Sequence, residues 1–194
     1  GPEDMPDETA VFQPSGKFAP GSGKQREALA PRPMIVEGRV WIIPVDDIDT
    51  DMIFHNRYLT ITDIREMGRY TFDNLKGFED FAQKAVEGDI VLTGKNFGAG
   101  SSRQQAVDCF KSLGVHCILA ESFGAIYERN AINAAFPILT YESGLVEEIG
   151  LQHGDRIRVD YASGAVVNMR NGLQAGISPF NQVQSTIYAR GGLL

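Results

Sequence analysis

Two hydroxyls and a guanidinium stand side by side at Ser101-Ser102-Arg103, directly after the glycine turn Asn96-Phe97-Gly98-Ala99-Gly100. Such a row can bind an anion and move a proton: a hydroxyl donates or accepts, and arginine offers a planar fork that fits a carboxylate. The run before it, Gly88-Asp89-Ile90-Val91-Leu92-Thr93-Gly94, has the β-branched, apolar character of a buried strand. The run after it, residues 104–113, repeats Ala106, Val107, Phe110 and Leu113 at helical spacing. This order predicts that unpaired backbone N–H groups and the positive end of a helix dipole gather at Gly100, Ser101 and Ser102, where glycine lets a ligand approach the chain. A helix cap accounts for one serine, but not for Gly-x-Gly, two hydroxyls and an arginine together. The residues alone do not name the anion.

The elements that must position this row are legible from periodicity. Residues 34–44 alternate as a strand, 62–70 read as a short helix opened by Thr62 or Asp63, and 78–86 read as a second helix ended at Gly88. After the strand at Ile90 and the site helix come a strand over 115–120, a helix over 123–133 and a strand over 137–141. Residues 155–170 alternate on both sides of Ala162-Ser163-Gly164, a hairpin by pattern and by turn chemistry. Alternating β and α elements with an added hairpin imply a layered α/β domain over residues 34–194. Asp49 and Asp51, separated by Thr50, point the same way if the segment is extended, which turns at least one toward the glycine loop.

Composition narrows the function classes. With 25 acidic against 18 basic residues and no basic cluster, nucleic-acid binding has no electrostatic support. Cys109 and Cys117 are too few and wrongly spaced for an iron–sulfur cluster or a disulfide framework, so they read as buried thiols in a helix and a strand. His55, His116 and His153 lack metal-ligand spacing, and His55 stands beside the expected substrate loop. No apolar run approaches membrane-spanning length and no signal pattern opens the chain, so the expected setting is a reducing cytoplasm without membrane contact. Residues 1–33 are rich in Pro, Gly and charge, and Gly1-Pro2 reads as the scar that a tag-removing protease leaves. The expectation there is a flexible arm, with Val11, Phe12 and Phe18 as anchors if it wraps a partner.

Four ordered motifs carry a family resemblance. They are Asp47-Ile48-Asp49-Thr50-Asp51-Met52-Ile53, Asn56-Arg57-Tyr58-Leu59, the run from Asn96 to Arg103, and Glu121-Ser122-Phe123-Gly124-Ala125-Ile126-Tyr127-Glu128-Arg129-Asn130-Ala131-Ile132-Asn133. In order and spacing this resembles the swivel domain of the aconitase superfamily, in the free-standing small-subunit form of the 3-isopropylmalate dehydratase and homoaconitase type. The resemblance spans residues 36–194 and implies a single β/β/α swivel domain with a mixed sheet. It also implies a large-subunit partner carrying a [4Fe-4S] cluster, which this chain itself does not bind.

The roles that the resemblance implies fall on particular residues. Ser101 would be the base that takes a proton from the carbon beside a substrate carboxylate; Ser102 and Arg103, with the close approach at Gly100, would bind carboxylate. Asp51 would support a catalytic histidine of the large subunit. A serine hydroxyl is a poor base unless backbone donors and a nearby cation hold the alkoxide, which a helix N-terminus with Arg103 would supply. Relatives continue the serine–arginine motif with Glu-His where this chain has Gln104-Gln105, an altered surrounding shell. After Tyr58-Leu59, where a tricarboxylate-reading relative carries arginine, stand Thr60 and Ile61. Arg57, Arg65 and Arg69 are the cations that could reach in, and Arg129 would either bind substrate or, as the resemblance favours, brace the loop by a salt bridge. The implied function is dehydration and rehydration of a branched 2-hydroxy dicarboxylate, first 3-isopropylmalate in leucine biosynthesis. Homoaconitate, aconitate, citraconate or dimethylmalate chemistry, or a carboxylate-binding module without catalysis, are the alternatives.

Overall fold

The computed structural model describes residues 31–193. Contacts group the chain into Gly1–Pro31 and Arg32–Leu194, and the fold that follows is that of the second unit. The expected arm with Val11, Phe12 and Phe18 lies outside the described residues, although Pro33 accepts a 2.6 Å hydrogen bond from the Tyr188 hydroxyl and Arg32 stacks over the same ring.

In chain order the elements are β1 (Ile35–Ile43), a helical turn α1 (Thr50–Ile53), a 3-10 turn at Asn56–Tyr58, α2 (Ile64–Met67) running into a 3-10 turn at Gly68–Tyr70, and α3 (Phe81–Lys84). Then follow β2 (Ile90–Thr93), α4 (Gln105–Leu113), β3 (Cys117–Ala120), α5 (Ala125–Asn133), β4 (Ile138–Thr140) and α6 (Leu145–Glu148). The hairpin β5 (Arg156–Asp160) and β6 (Ala165–Asn168), a short β7 (Gln174–Gly176) and α7 (Gln182–Arg190) complete the described residues.

The seven strands form one sheet in the order β4-β3-β2-β1-β5-β6-β7. β1 joins its two halves: Val40 to Ile43 run parallel to β2, opposite Ile90 to Thr93, while Ile35 to Arg39 run antiparallel to β5. Strand alternation then sorts the core into two layers. Trp41, Ile43, Val91, Ile118, Ala120 and Ile138 face one side, with Phe110 of α4 and Tyr127 of α5. Val40, Ile90, Leu92, Cys117, Leu119 and Leu139 face the other, against Ile157, Val159 and Val166 of the hairpin. The parallel half is therefore buried on both faces, helices on one and antiparallel strands on the other. This is the β/β/α layering with a mixed sheet that the family resemblance implies.

Two expected segments, one helical and one extended, differ from the structure. The pattern over 78–86 yields only the single turn α3, because Ala85 is extended (φ −65°, ψ 143°) and the Asp89 carboxylate takes the Val86 N–H. Asp49-Thr50-Asp51 is not extended: Asp49 is the N-cap of α1, accepting from Met52 N at 2.8 Å, and Asp51 lies in the first turn. A side-chain cap overrides the two-residue period. α6, β7 and α7 were not signalled by the pattern.

Candidate active site

The site lies where three loops leave the carboxyl ends of β1, β2 and β3, the edge at which parallel α/β sheets place their ligands. Their backbones extend the sheet: Thr50 N donates to Ala99 O at 2.9 Å, Gly98 N to Ile48 O at 2.7 Å and Phe97 N to Ser122 O at 3.0 Å. The Asn96 side chain ties Asp47 to this lattice at 2.9 Å. Phe97 is 1% exposed and packs on Phe110 and Tyr127, so the base of the glycine loop is a core residue. A fully buried phenylalanine contributes about 2–3 kcal/mol, which is what roots the loop.

Above that root the chain turns through two left-handed glycines. Gly98 has φ +82° and a Cβ there would lie 2.2 Å from the Tyr127 ring; Gly100 has φ +99°, and a Cβ there would meet Thr50 Oγ1 at 3.6 Å, an ordinary contact. These conformations keep the segment out of the helix. α4 begins at Gln105, so Ser101 and Ser102 lie before it and not in its first turn, a correction to the expected helix start. The anion-complementary feature survives in another form: among the described residues the N–H groups of Ser101, Ser102 and Arg103 have no protein acceptor, and both serines are exposed. Three successive free donors beside a guanidinium give the loop the donor set of an anion nest.

Arg103 is held rather than solvated. Its Nη1 donates to Phe54 O at 2.6 Å, to Asp51 Oδ1 at 3.1 Å and to Thr50 O at 3.3 Å, and its side chain is 12% exposed. Nε and Nη2 have no protein acceptor among the described residues, leaving one edge of the fork to a ligand. Asp51 also accepts from Asn56 N at 2.8 Å, and His55 Nε2 lies 3.9 Å from its other oxygen. Partial burial works against the Asp51 carboxylate, but the Asn56 N–H, Arg103 and His55 outweigh it and hold its pKa below the ordinary value. His55 Nδ1 accepts from Arg57 N at 3.0 Å, so Nε2 carries the proton that faces Asp51.

The two serines differ in environment. Asn130 Nδ2 donates to Ser102 Oγ at 3.0 Å, whereas the Ser101 hydroxyl has no protein partner among the described residues. Arg129, expected to brace the loop, forms no ion pair among the described residues and is exposed; the contact comes from its neighbour Asn130. The charged residue drew attention in the sequence, and only the helix phase of α5 could have found the amide.

Thr60 is exposed, and Ile61 packs against the helix-side core, so the side chain expected to line the substrate pocket is turned inward. The loop that carries them is fastened by Tyr58, whose ring stacks on Tyr70 at 4.1 Å and whose hydroxyl donates to Asp73. On the other side Gln105 Nε2 donates to Leu59 O at 3.3 Å. Of the three candidate cations nearby, Arg65 is bound bidentately by Asp63 and Arg69 lies 4.0 Å from Glu66; Arg57 rests over the Tyr58 ring.

A separate cavity of about 310 Å³ opens at the same sheet edge, lined by Asp46, Glu121, Tyr141 and Glu147. Burial and those three carboxylates push the Tyr141 hydroxyl up to about 12, a field that repels an anion. The serine loop, not this cavity, is complementary to a carboxylate.

An open row of N–H donors, two hydroxyls of different character and an arginine braced by a carboxylate define an α/β domain with an anion-complementary loop. The chain belongs to the aconitase C-terminal domain family, whose model matches residues 47–143. It is 38% identical over 149 residues to the 3-isopropylmalate dehydratase small subunit of Caldicellulosiruptor bescii, covering 77% of this chain and 87% of that one. It is 37% identical over 160 residues to the methanogen homoaconitase small subunit of Methanothermobacter thermautotrophicus, covering 82% and 89%. The crystal structure of 3-isopropylmalate dehydratase from Methanocaldococcus jannaschii superimposes with a TM-score of 0.74 at 34% identity, over 82% of this chain and 91% of that one.

Proposed function

We propose that this chain is the small subunit of a hydro-lyase that isomerises a branched 2-hydroxy dicarboxylate by dehydration and rehydration, with 3-isopropylmalate as substrate, in leucine biosynthesis in the cytoplasm. The observation that carries the proposal is the loop of free N–H groups at Ser101 to Arg103 with its arginine braced on Asp51. In this reading Ser101 removes the proton from the carbon beside a carboxylate, its alkoxide held by the nest and the guanidinium. Ser102 and the free edge of Arg103 bind carboxylate, with Gly100 giving the close approach, and Asp51 orients a histidine of the large subunit. Thr60 borders the substituent that distinguishes substrates. Ile61, packed on the core, acts there by shaping the loop.

The [4Fe-4S] cluster of the family finds no fitting ligands in the described residues of this chain. Cys109 and Cys117 are buried on opposite faces of the parallel strands, and burial pushes both thiols up to about 12, whereas a cluster takes thiolates. The proposal therefore assigns the cluster to the large subunit.

Homoaconitate chemistry is the second reading, favoured by the similarity to the methanogen homoaconitase small subunit. Against it, Thr60 is neutral and Arg65 is already paired with Asp63. The test is reconstitution with a cluster-loaded large subunit and assay against 3-isopropylmalate, cis-homoaconitate, cis-aconitate, citraconate and dimethylmalate. The expected result is no turnover by the isolated chain and fastest turnover of 3-isopropylmalate by the complex. Turnover by this chain alone, or a complex inert on the whole panel, would overturn the proposal.

A further inference from the structure

Ser101 and Ser102 are chemically identical neighbours, so something outside them must decide which is the base and which the ligand. The difference between their surroundings is one side-chain amide. We propose, building on the reading of Ser102 as a carboxylate ligand, that Asn130 is a positioning residue that fixes the polarity of the Ser102 hydroxyl.

The contact itself is an Nδ2–H donated to Ser102 Oγ at 3.0 Å. A hydroxyl has one hydrogen and two lone pairs. With a donor on one lone pair, its own O–H must turn away from Asn130, toward the side where the N–H groups of Ser101, Ser102 and Arg103 are open. Ser102 is then committed as a donor, which is what an incoming carboxylate requires, and the bond it accepts strengthens the bond it gives. Ser101 has no such partner among the described residues, so no side chain there fixes the direction of its hydroxyl.

The element that carries Asn130 is placed to hold this geometry. α5 is bolted to the glycine loop at its start, where Gly124 N donates to Phe97 O at 2.9 Å. One turn before Asn130, Tyr127 is buried, its ring lies under Gly98 and its hydroxyl donates to Ala106 O at 2.8 Å in α4. Ala131 on the other side is fully buried. The helix cannot rotate its amide away from the loop without breaking both attachments.

The test uses the assembled complex with its large subunit and malate as the probe, because malate carries the two carboxylates common to the whole panel and the hydroxyl of its hydroxy acids; its Kd is measured by calorimetry. Ser102→Ala should weaken malate by about ten- to a hundredfold, the loss of one hydrogen bond to a charged group. Asn130→Ala should weaken it about fivefold, and the isosteric Asn130→Asp by about tenfold or more, since a carboxylate there accepts the Ser102 proton and removes the donor. In the Ser102→Ala background Asn130→Ala should weaken malate no further. An Asn130→Asp complex that binds malate like wild type, or an Asn130→Ala loss of equal size in both backgrounds, would overturn this assignment while leaving the Ser102 ligand role intact. Unchanged malate affinity in Ser102→Ala would instead remove the ligand role and the assignment built on it.

Discussion

Replacing Arg103 should unfasten the site before any substrate is present, because one nitrogen of its guanidinium joins two loops. Nη1 serves Phe54 O, Thr50 O and the Asp51 carboxylate at 2.6, 3.3 and 3.1 Å, from a side chain only 12% exposed. In Arg103→Ala Phe54 O loses its donor and Thr50 O keeps only the Phe54 N–H, so two hydrogen bonds go, at about 1–1.5 kcal/mol each. The Asp51 pair adds only about 0.5 kcal/mol, since that carboxylate is 40% exposed and screened. The sum is roughly 3 kcal/mol, which lowers Tm by about 6–12 °C in a domain of this size. Arg103→Lys reaches one carbonyl at a time and should recover about half of that. The measurement is thermal and urea unfolding of the isolated chain at pH 7. An Arg103→Ala chain that melts within about 2 °C of wild type would show that the guanidinium is not a structural tie.

The same contacts set the pH range of the tie. Asp51 is held below the ordinary carboxylate value of 3.8 by Asn56 N–H, Arg103 and His55 against the opposing effect of burial. A depressed carboxylate stabilises the folded chain above its unfolded pKa and loses that contribution as pH falls through the lower folded value. The tie is therefore complete at pH 5 and above, and Arg103→Ala should raise the Asp51 pKa, read by NMR titration of its carboxyl carbon.

Ser101→Ala in the complex should lower kcat by about a thousandfold while KM stays within about tenfold, as expected for a base that acts in the transition state; near-normal kcat would move the base elsewhere. Thr60→Arg should shift the ratio of kcat/KM for cis-homoaconitate over 3-isopropylmalate upward by about tenfold or more by pairing the extra carboxylate, and an unmoved ratio would show that another residue, with Arg57 next, reads that end. His116 is pushed below 6.5 by burial and by Arg156 against the pull of Asp89, so its contribution is present above pH 6.5 and lost as pH falls through the lower folded value. The urea midpoint of the isolated chain should drop from pH 7 to pH 5, and His116→Gln should flatten that drop.

What was legible in the sequence was whatever periodicity writes. β1, the buried strands β2 and β3, the hairpin at Ala162-Ser163-Gly164 and the helix carrying Ala106, Val107 and Phe110 all follow from it. The site motif was legible because glycine, hydroxyl and guanidinium are chemically conspicuous. Its geometry was not, because two left-handed glycines delay the helix to Gln105 and a side-chain cap at Asp49 turns Asp51 onto Arg103. Asn130 was hidden for a related reason: its contact depends on the phase of α5 against a loop 28 residues earlier in the chain, and the charged Arg129 beside it is the louder signal.

The Gln104-Gln105 pair fastens the start of α4 with uncharged groups. Asp108, one turn further along α4, is largely buried, and that burial raises its pKa despite Lys111 and Gln104 nearby. A glutamate at position 104 would stand one turn from this desolvated carboxylate, a like-charge pair that already costs about 0.2–0.5 kcal/mol on an exposed helix and more where solvent is excluded. Gln104 replaces that repulsion with a 3.2 Å donor to Asp108. Gln105 in turn gives its Nε2–H to Leu59 O, which a neutral histidine could also supply, but without gaining or losing charge as pH changes. The result is a helix start fastened behind to Asp108 and in front to the Thr60 loop by groups that do not titrate. Asp51 is thereby the titratable side chain left in contact with Arg103, and its carboxylate, held below the ordinary value, sets the acid limit of the serine loop in the isolated chain.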